Sequence, residues 1–111
     1  MTTMVWVLLA GAILSEVAAT ISLRLSEGFT KAVPSTIVVV GYLASFALLS
    51  QVLKRGMAVG VAYGIWAAVG VSLVALIGAA FLGETLTWVQ VGGLALVIIG
   101  VVAVQSGAHT A

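Results

Sequence analysis

Four apolar stretches, each about as long as a bilayer core is thick, make up most of this 111-residue chain. They cover residues 4–23, 33–53, 58–82 and 88–104. A helix crosses a hydrocarbon core of about 30 Å in roughly 20 residues, so each stretch is long enough to span. In lipid only helices and closed barrels satisfy every backbone N–H and C=O, and uninterrupted runs of this length read as helices. The links "RLSEGFTKA", "KRGM" and "GETLT" are short and polar or glycine-bearing, as connections between antiparallel neighbours are. The expectation is an all-α integral membrane protein: a four-transmembrane-helix bundle forming a single domain over residues 1–111. Pro34 falls at the start of the second span, where its missing N–H does no harm. Trp6 and Trp88 lie near span ends, where interfacial anchors sit. The first span lacks the basic n-region of a secretory signal and contains a glutamate, so it reads as a retained helix.

Composition removes the main competing classes. Apolar residues make up 63% of the chain and charged residues 6%, too few charges to clothe a water-soluble body, so membrane lipids are the solvent. No cysteine is present, which excludes disulfides, thiolate chemistry and cysteine-ligated metals. The formal net charge is +1, with no basic cluster interleaved with aromatics, so nucleic acid is not an expected partner. There is no second membrane acid, no metal-ligand set and no Ser/His pair, so neither an enzyme nor a metal site is expected; His109 lies in the C-terminal tail.

Arg24, Glu27, Lys31, Lys54, Arg55 and Glu84 fall in or beside the connections, within reach of water or headgroups. Glu16 does not. It lies about 18 Å along the first helix from Met4, near the membrane midplane. Holding an ionised carboxylate there costs from about 2.5 kcal/mol to several times that. Such a group is either a protonated strut between helices or a site for a proton and a cation.

Helical spacing sorts the remaining candidates by face. Ala12, Glu16, Ala19, Thr20 and Leu23 share one side of the first helix, with small neighbours leaving the carboxylate room. Tyr42, Ser45, Phe46 and Leu49 share a side of the second, and Val59, Tyr63, Trp66 and Gly70 a side of the third. Aromatic walls around one carboxylate suit a lipophilic cation, which gains both cation–π attraction and charge. The fourth span has no polar side chain in "GGLALVIIGVV"; Gly93, Val97 and Gly100 form a smooth face of the kind that admits a second helix closely, a candidate dimer contact.

Orientation is balanced. Arg24 and Lys31 lie on one side of the membrane and Lys54 and Arg55 on the other, so the positive-inside bias is nil. Dual insertion follows as a hypothesis, and with it an antiparallel homodimer, in which two copies supply the symmetry that other carriers obtain from inverted repeats.

The blocks "GAILSEVAAT", "LRLSEGFT", "GYLASFALLSQ", "VAYGIWAAVG" and "GGLALVIIG", in this order and spacing, resemble the small multidrug resistance family over essentially the whole chain. That resemblance implies an antiparallel dimer in the bacterial inner membrane, multi-pass, exporting cations in exchange for protons by alternating access. The proton gradient alone would drive it, without a cofactor. Glu16 of both subunits would bind proton and substrate in competition. Trp66 and Tyr63 would wall the site, with Tyr42, Ser45, Phe46, Ala12 and Thr20 contributing. Gly93, Val97 and Gly100 would form the dimer seam, and Gly70 a conformational hinge. The family's guanidinium branch typically has Trp where this chain has Ala19 and a non-aromatic residue where it has Tyr42, so the resemblance favours exporters of quaternary ammonium and other aromatic cations. A guanidinium/proton exporter, or a non-transporting subunit of a heterodimer, are the alternatives. Departures from the multidrug pattern are Ala19 and Ala68, where Gly is frequent, Arg24 in place of the more usual Lys, and the lack of Pro in "KRGMAVG", which bear on how the third helix bends.

Overall fold

The computed structural model describes residues 3–108, the Ala108 side chain excepted; His109 lies outside them. Four helices fill this range: α1 (Thr3–Leu25), α2 (Ala32–Lys54), α3 (Val59–Phe81) and α4 (Trp88–Ala108). All four are long and apolar enough to cross a membrane. The helix limits follow the expected spans within a few residues, except at the end of α4, which continues through Gln105, Ser106 and Gly107. Hydropathy marks where lipid contact ends, whereas a helix runs on while its i→i−4 bonds can form.

The helices group as two hairpins, α1 with α2 up to Gly56 and α3 with α4 from Met57. In the first, α1 buries Val5, Leu9, Ala12, Ile13, Val17, Ala19 and Ser22, a stripe at helical spacing. The buried residues of α2 are Val38, Ser45 and Val52, seven apart, a narrow seam of coiled-coil type. Register is set by small residues. A Cβ at Gly41 would stand 2.8 Å from the Ala19 Cβ and 3.0 Å from the Ser15 carbonyl oxygen, so any larger residue here would have to push the helices apart. Farther along, a Cβ at Gly11 would meet Leu48 Cδ1 at 3.2 Å, so the antiparallel pair stays close over about two turns of α1.

The turn between α1 and α2 is built around Ser26, which is fully buried. Its hydroxyl donates to Leu23 O (2.7 Å) and accepts from Phe29 N–H (3.1 Å), and its carbonyl accepts from Thr30 N–H (2.9 Å) and Lys31 N–H (3.2 Å). These bonds hold Glu27, Gly28 and Phe29 in the left-handed region, at φ 47°, 74° and 67°. Only Gly28 adopts it without strain; the two side chains around it are held there by the Ser26 contacts. An exposed Lys31–Glu27 ion pair at 3.2 Å adds little.

The second hairpin closes differently. The N–H groups of Leu82 and Glu84 both bond to Gly78 O, and the Glu84 side chain folds over Gly78, occupying the space a Cβ there would need. Thr87 and Gln90 then start α4 with a reciprocal capping box: Gln90 Oε1 accepts from Thr87 N–H (2.8 Å), and Thr87 Oγ1 accepts from Gln90 N–H (3.2 Å). α3 buries Val61, Ala62, Trp66, Ala68, Gly70 and Gly78. No residue of the α4 span is buried.

Candidate functional site

In α1 and α2 the hydroxyl groups follow two patterns. Ser15 and Thr36, like Ser72 in α3, turn back and donate to the carbonyl four residues earlier, at 2.7–2.8 Å. This is the usual way a hydroxyl is satisfied in an apolar helix. Thr20 instead donates to the Glu16 carboxylate one turn away, Oγ1 to Oε1 at 2.8 Å. Its oxygen also lies 2.7 Å from the Tyr42 hydroxyl of α2. A threonine hydroxyl has one hydrogen, so with Glu16 ionised that hydrogen goes to the carboxylate and Tyr42 is the donor in the second bond. The result is a hydrogen-bonded chain of Tyr42, Thr20 and Glu16 across the helix seam. All three side chains are half-buried.

The close crossing of Ala19 and Gly41 makes this chain possible. Glu16 and Thr20 flank the crossing on α1, and Tyr42 follows Gly41 directly on α2. With the two backbones this near, a phenol can reach across to a threonine. Ala12, one turn before Glu16, is fully buried and adds no competing polar atom.

Ser45, one turn beyond Tyr42, is fully buried, and its Oγ has no hydrogen-bond partner. A buried orphan hydroxyl costs about 1–3 kcal/mol unless something else satisfies it. Phe46, next in sequence, is 56% exposed.

In the other hairpin Tyr63 and Trp66 form an edge-to-face pair, centroids 5.6 Å apart and planes at 85°. Trp66 is buried at 8% exposure, whereas Tyr63 is 60% exposed and available to a ligand or neighbour. Gly70, one turn on, is buried. Gly93 and Val97 border a cleft of about 420 Å³ between α3 and α4, with Val71 and Ala75 on its wall and Glu84, Thr85 and Gln90 also lining it. They are solvent-accessible, as is Gly100.

The expected residues thus fall into separate groups: Glu16, Thr20 and Tyr42 are joined by hydrogen bonds, Tyr63 and Trp66 by ring contact, and Gly93, Val97 and Gly100 occupy exposed positions of α4. Among the described residues no group of three His, Cys, Asp or Glu side chains stands close enough to hold a metal ion. Two positions were not singled out from sequence as site determinants: Gly41, which sets the crossing, and Ser15, whose carbonyl it packs against.

A family profile described as Small Multidrug Resistance protein matches residues 4–97. The multidrug resistance protein mmr of Mycolicibacterium paratuberculosis is 44% identical over 107 residues, covering 96% of this chain and 100% of that one. The quaternary ammonium compound-resistance protein QacF of Klebsiella aerogenes is 45% identical over 96 residues, 86% of each chain. The nicotine metabolites export pump subunit NepA of Paenarthrobacter nicotinovorans is 46% identical over 98 residues, 88% of this chain and 84% of that one.

Proposed function

Since the chain belongs to the small multidrug resistance family and is a multi-pass bacterial membrane protein, we propose that it exports lipophilic and quaternary ammonium cations in exchange for protons. The observation that carries this reading is Glu16: a carboxylate inside an apolar span, hydrogen-bonded in its acceptor form by Thr20. An ionised carboxylate at that depth needs a counter-charge, and a proton or a lipophilic cation supplies one. The two compete for the same oxygens. Coupling then needs no further chemistry: a cation arriving from the cytoplasm displaces protons, the transporter exchanges its inward and outward forms, and protons from the far side release the cation. No cofactor is required, because the proton gradient sets the direction.

Tyr63 and Trp66 supply the aromatic wall, and the unpartnered Ser45 hydroxyl a polar contact. One charge with apolar walls selects for positive charge and greasiness more than for shape, which gives broad specificity. The functional unit in this reading is an antiparallel homodimer in the inner membrane. Balanced Lys and Arg on the two sides favour it, and uncovered α4, with Gly93, Val97 and Gly100, offers the contact. Gly70, buried in α3, is the candidate hinge of the exchange. A second reading, pairing with a different chain, draws on the relative named as an export pump subunit.

The test is equilibrium binding of tetraphenylphosphonium to the purified protein across pH, with Glu16→Gln alongside. Binding should be tight at high pH and fade as pH falls, because protons compete for Glu16, and it should vanish in Glu16→Gln. Binding that ignores pH, or that survives the substitution, would return Glu16 to the role of a strut.

A further inference from the structure

The hydrogen-bond chain across the α1–α2 seam has a direction, and that direction depends on whether Glu16 carries a proton. With the carboxylate ionised, Thr20 gives its hydrogen to Glu16 Oε1 (2.8 Å), and the Tyr42 hydroxyl gives its own to Thr20 Oγ1 (2.7 Å). Both lone-pair directions of the phenol oxygen then face away from the chain. If Oε1 takes up a proton, the carboxyl becomes the donor to Thr20. Thr20 must turn its single hydrogen toward Tyr42, and the phenol becomes an acceptor whose own O–H points elsewhere. No heavy atom moves far; one proton is added at Glu16 and two hydroxyl hydrogens change partners.

We propose that Thr20 is a positioning residue that relays the charge state of Glu16 to Tyr42, so that the phenol offers lone pairs when Glu16 is ionised and its O–H hydrogen when Glu16 is protonated. This rests on the reading of Glu16 as the shared site for proton and cation. A bound cation leaves the carboxylate ionised and the chain in its first order, with an electron-rich phenol oxygen free to face positive charge. A bound proton reverses the chain and presents a positive hydrogen instead. One proton on Glu16 thereby opposes the cation at two places, the carboxylate and the phenol, which sharpens the exclusion between the two ligands.

Within this hairpin the other charged groups, Arg24, Glu27, Lys31, Lys54 and Arg55, are all exposed, and Arg24, one turn beyond Thr20, is the nearest of them in sequence. Arg24, two turns beyond Glu16, is separated from it by about 12 Å along the helix. Glu16 and Tyr42 are thus the two half-buried titratable side chains of the α1–α2 seam.

The experiment is nuclear magnetic resonance on full-length protein in lipid bicelles, without added cation, with carbon-13 at tyrosine Cζ and glutamate Cδ. The chain has two tyrosines, so Tyr42→Phe assigns the signal. The Tyr42 Cζ resonance should move in step with the Glu16 carboxyl as pH is varied, and lie still in Glu16→Gln. Thr20→Ser, which keeps the hydroxyl, should preserve the coupled response. Thr20→Val, which keeps the shape, should abolish the Tyr42 response while Glu16 still titrates. Saturating tetraphenylphosphonium at high pH should leave the resonance away from its low-pH position. A Tyr42 signal that follows Glu16 in Thr20→Val, or that ignores Glu16 in the unaltered protein, would overturn the relay. Cation binding that persists in Glu16→Gln would instead overturn the transport reading, and the two failures are distinguishable because the relay is read without cation.

Discussion

At the scale of single residues, Ser45 makes the most direct prediction. Its hydroxyl is buried without a partner, while Ser15 and Thr36 in the same hairpin satisfy theirs on backbone carbonyls. Ser45→Ala removes an unsatisfied group and should stabilise the protein by about 1 kcal/mol, read as a higher thermal unfolding midpoint in detergent. The same substitution should weaken tetraphenylphosphonium binding. A drop in stability would mean that the hydroxyl already has a partner in the folded membrane protein. Sequence reasoning placed Glu16 with Thr20 on one face and Tyr42 with Ser45 on another, because both pairs follow from helical spacing. It had no means of joining the faces. The Thr20–Tyr42 bond depends on the relative register of two helices, which spacing within either one leaves undetermined.

At the crossing of α1 and α2 the contact is between an alanine and a glycine, and Gly41 shows how little room is left. Gly41→Ala would press a methyl against the Ala19 Cβ and the Ser15 carbonyl, with a cost of about 1–3 kcal/mol in unfolding free energy. Cation binding should fall as well, since the shift separates Thr20 from Tyr42. Adding Ala19→Gly should recover part of both losses, while Ser15 O remains close; full additivity of the two substitutions in a double-mutant cycle would show that they do not meet. The four helices were legible from hydropathy because roughly 20 apolar residues in lipid leave few alternatives. Gly41 was not, since membrane helices carry many glycines and only packing identifies the one in contact. Neither was the left-handed run from Glu27 to Phe29, because glutamate and phenylalanine give no local signal for it. The Thr87–Gln90 capping box does carry a local signal, a threonine followed three residues later by a glutamine, which hydropathy alone does not register.

On the scale of the whole molecule, one chain leaves α4 wholly unburied and distributes its basic residues evenly. If antiparallel pairing of two copies is the functional state, fixing the orientation should destroy activity. Lys54→Ser with Arg55→Ser leaves the basic residues on one side only, and Arg24→Ser with Lys31→Ser leaves them on the other. Each doubly substituted chain, expressed alone, should fail to protect cells from a quaternary ammonium biocide, and co-expression of the two should restore protection. Full protection by either alone would count against dual insertion. The proposed dimer contact has no sequence signature beyond the smooth face of Gly93, Val97 and Gly100, since van der Waals packing between apolar helices leaves no charge or periodic polar pattern to read.

The room of one methyl group is shared between positions 19 and 41, and inheritance has to respect that. A lineage starting from this chain reaches a side chain at 41 more easily if it first loses the one at 19, because the reverse order passes through a form with both. The two sites should therefore vary together among descendants, with alanine at 19 accompanying glycine at 41, and the mutational path between the alternatives has a preferred direction that neither residue would impose alone.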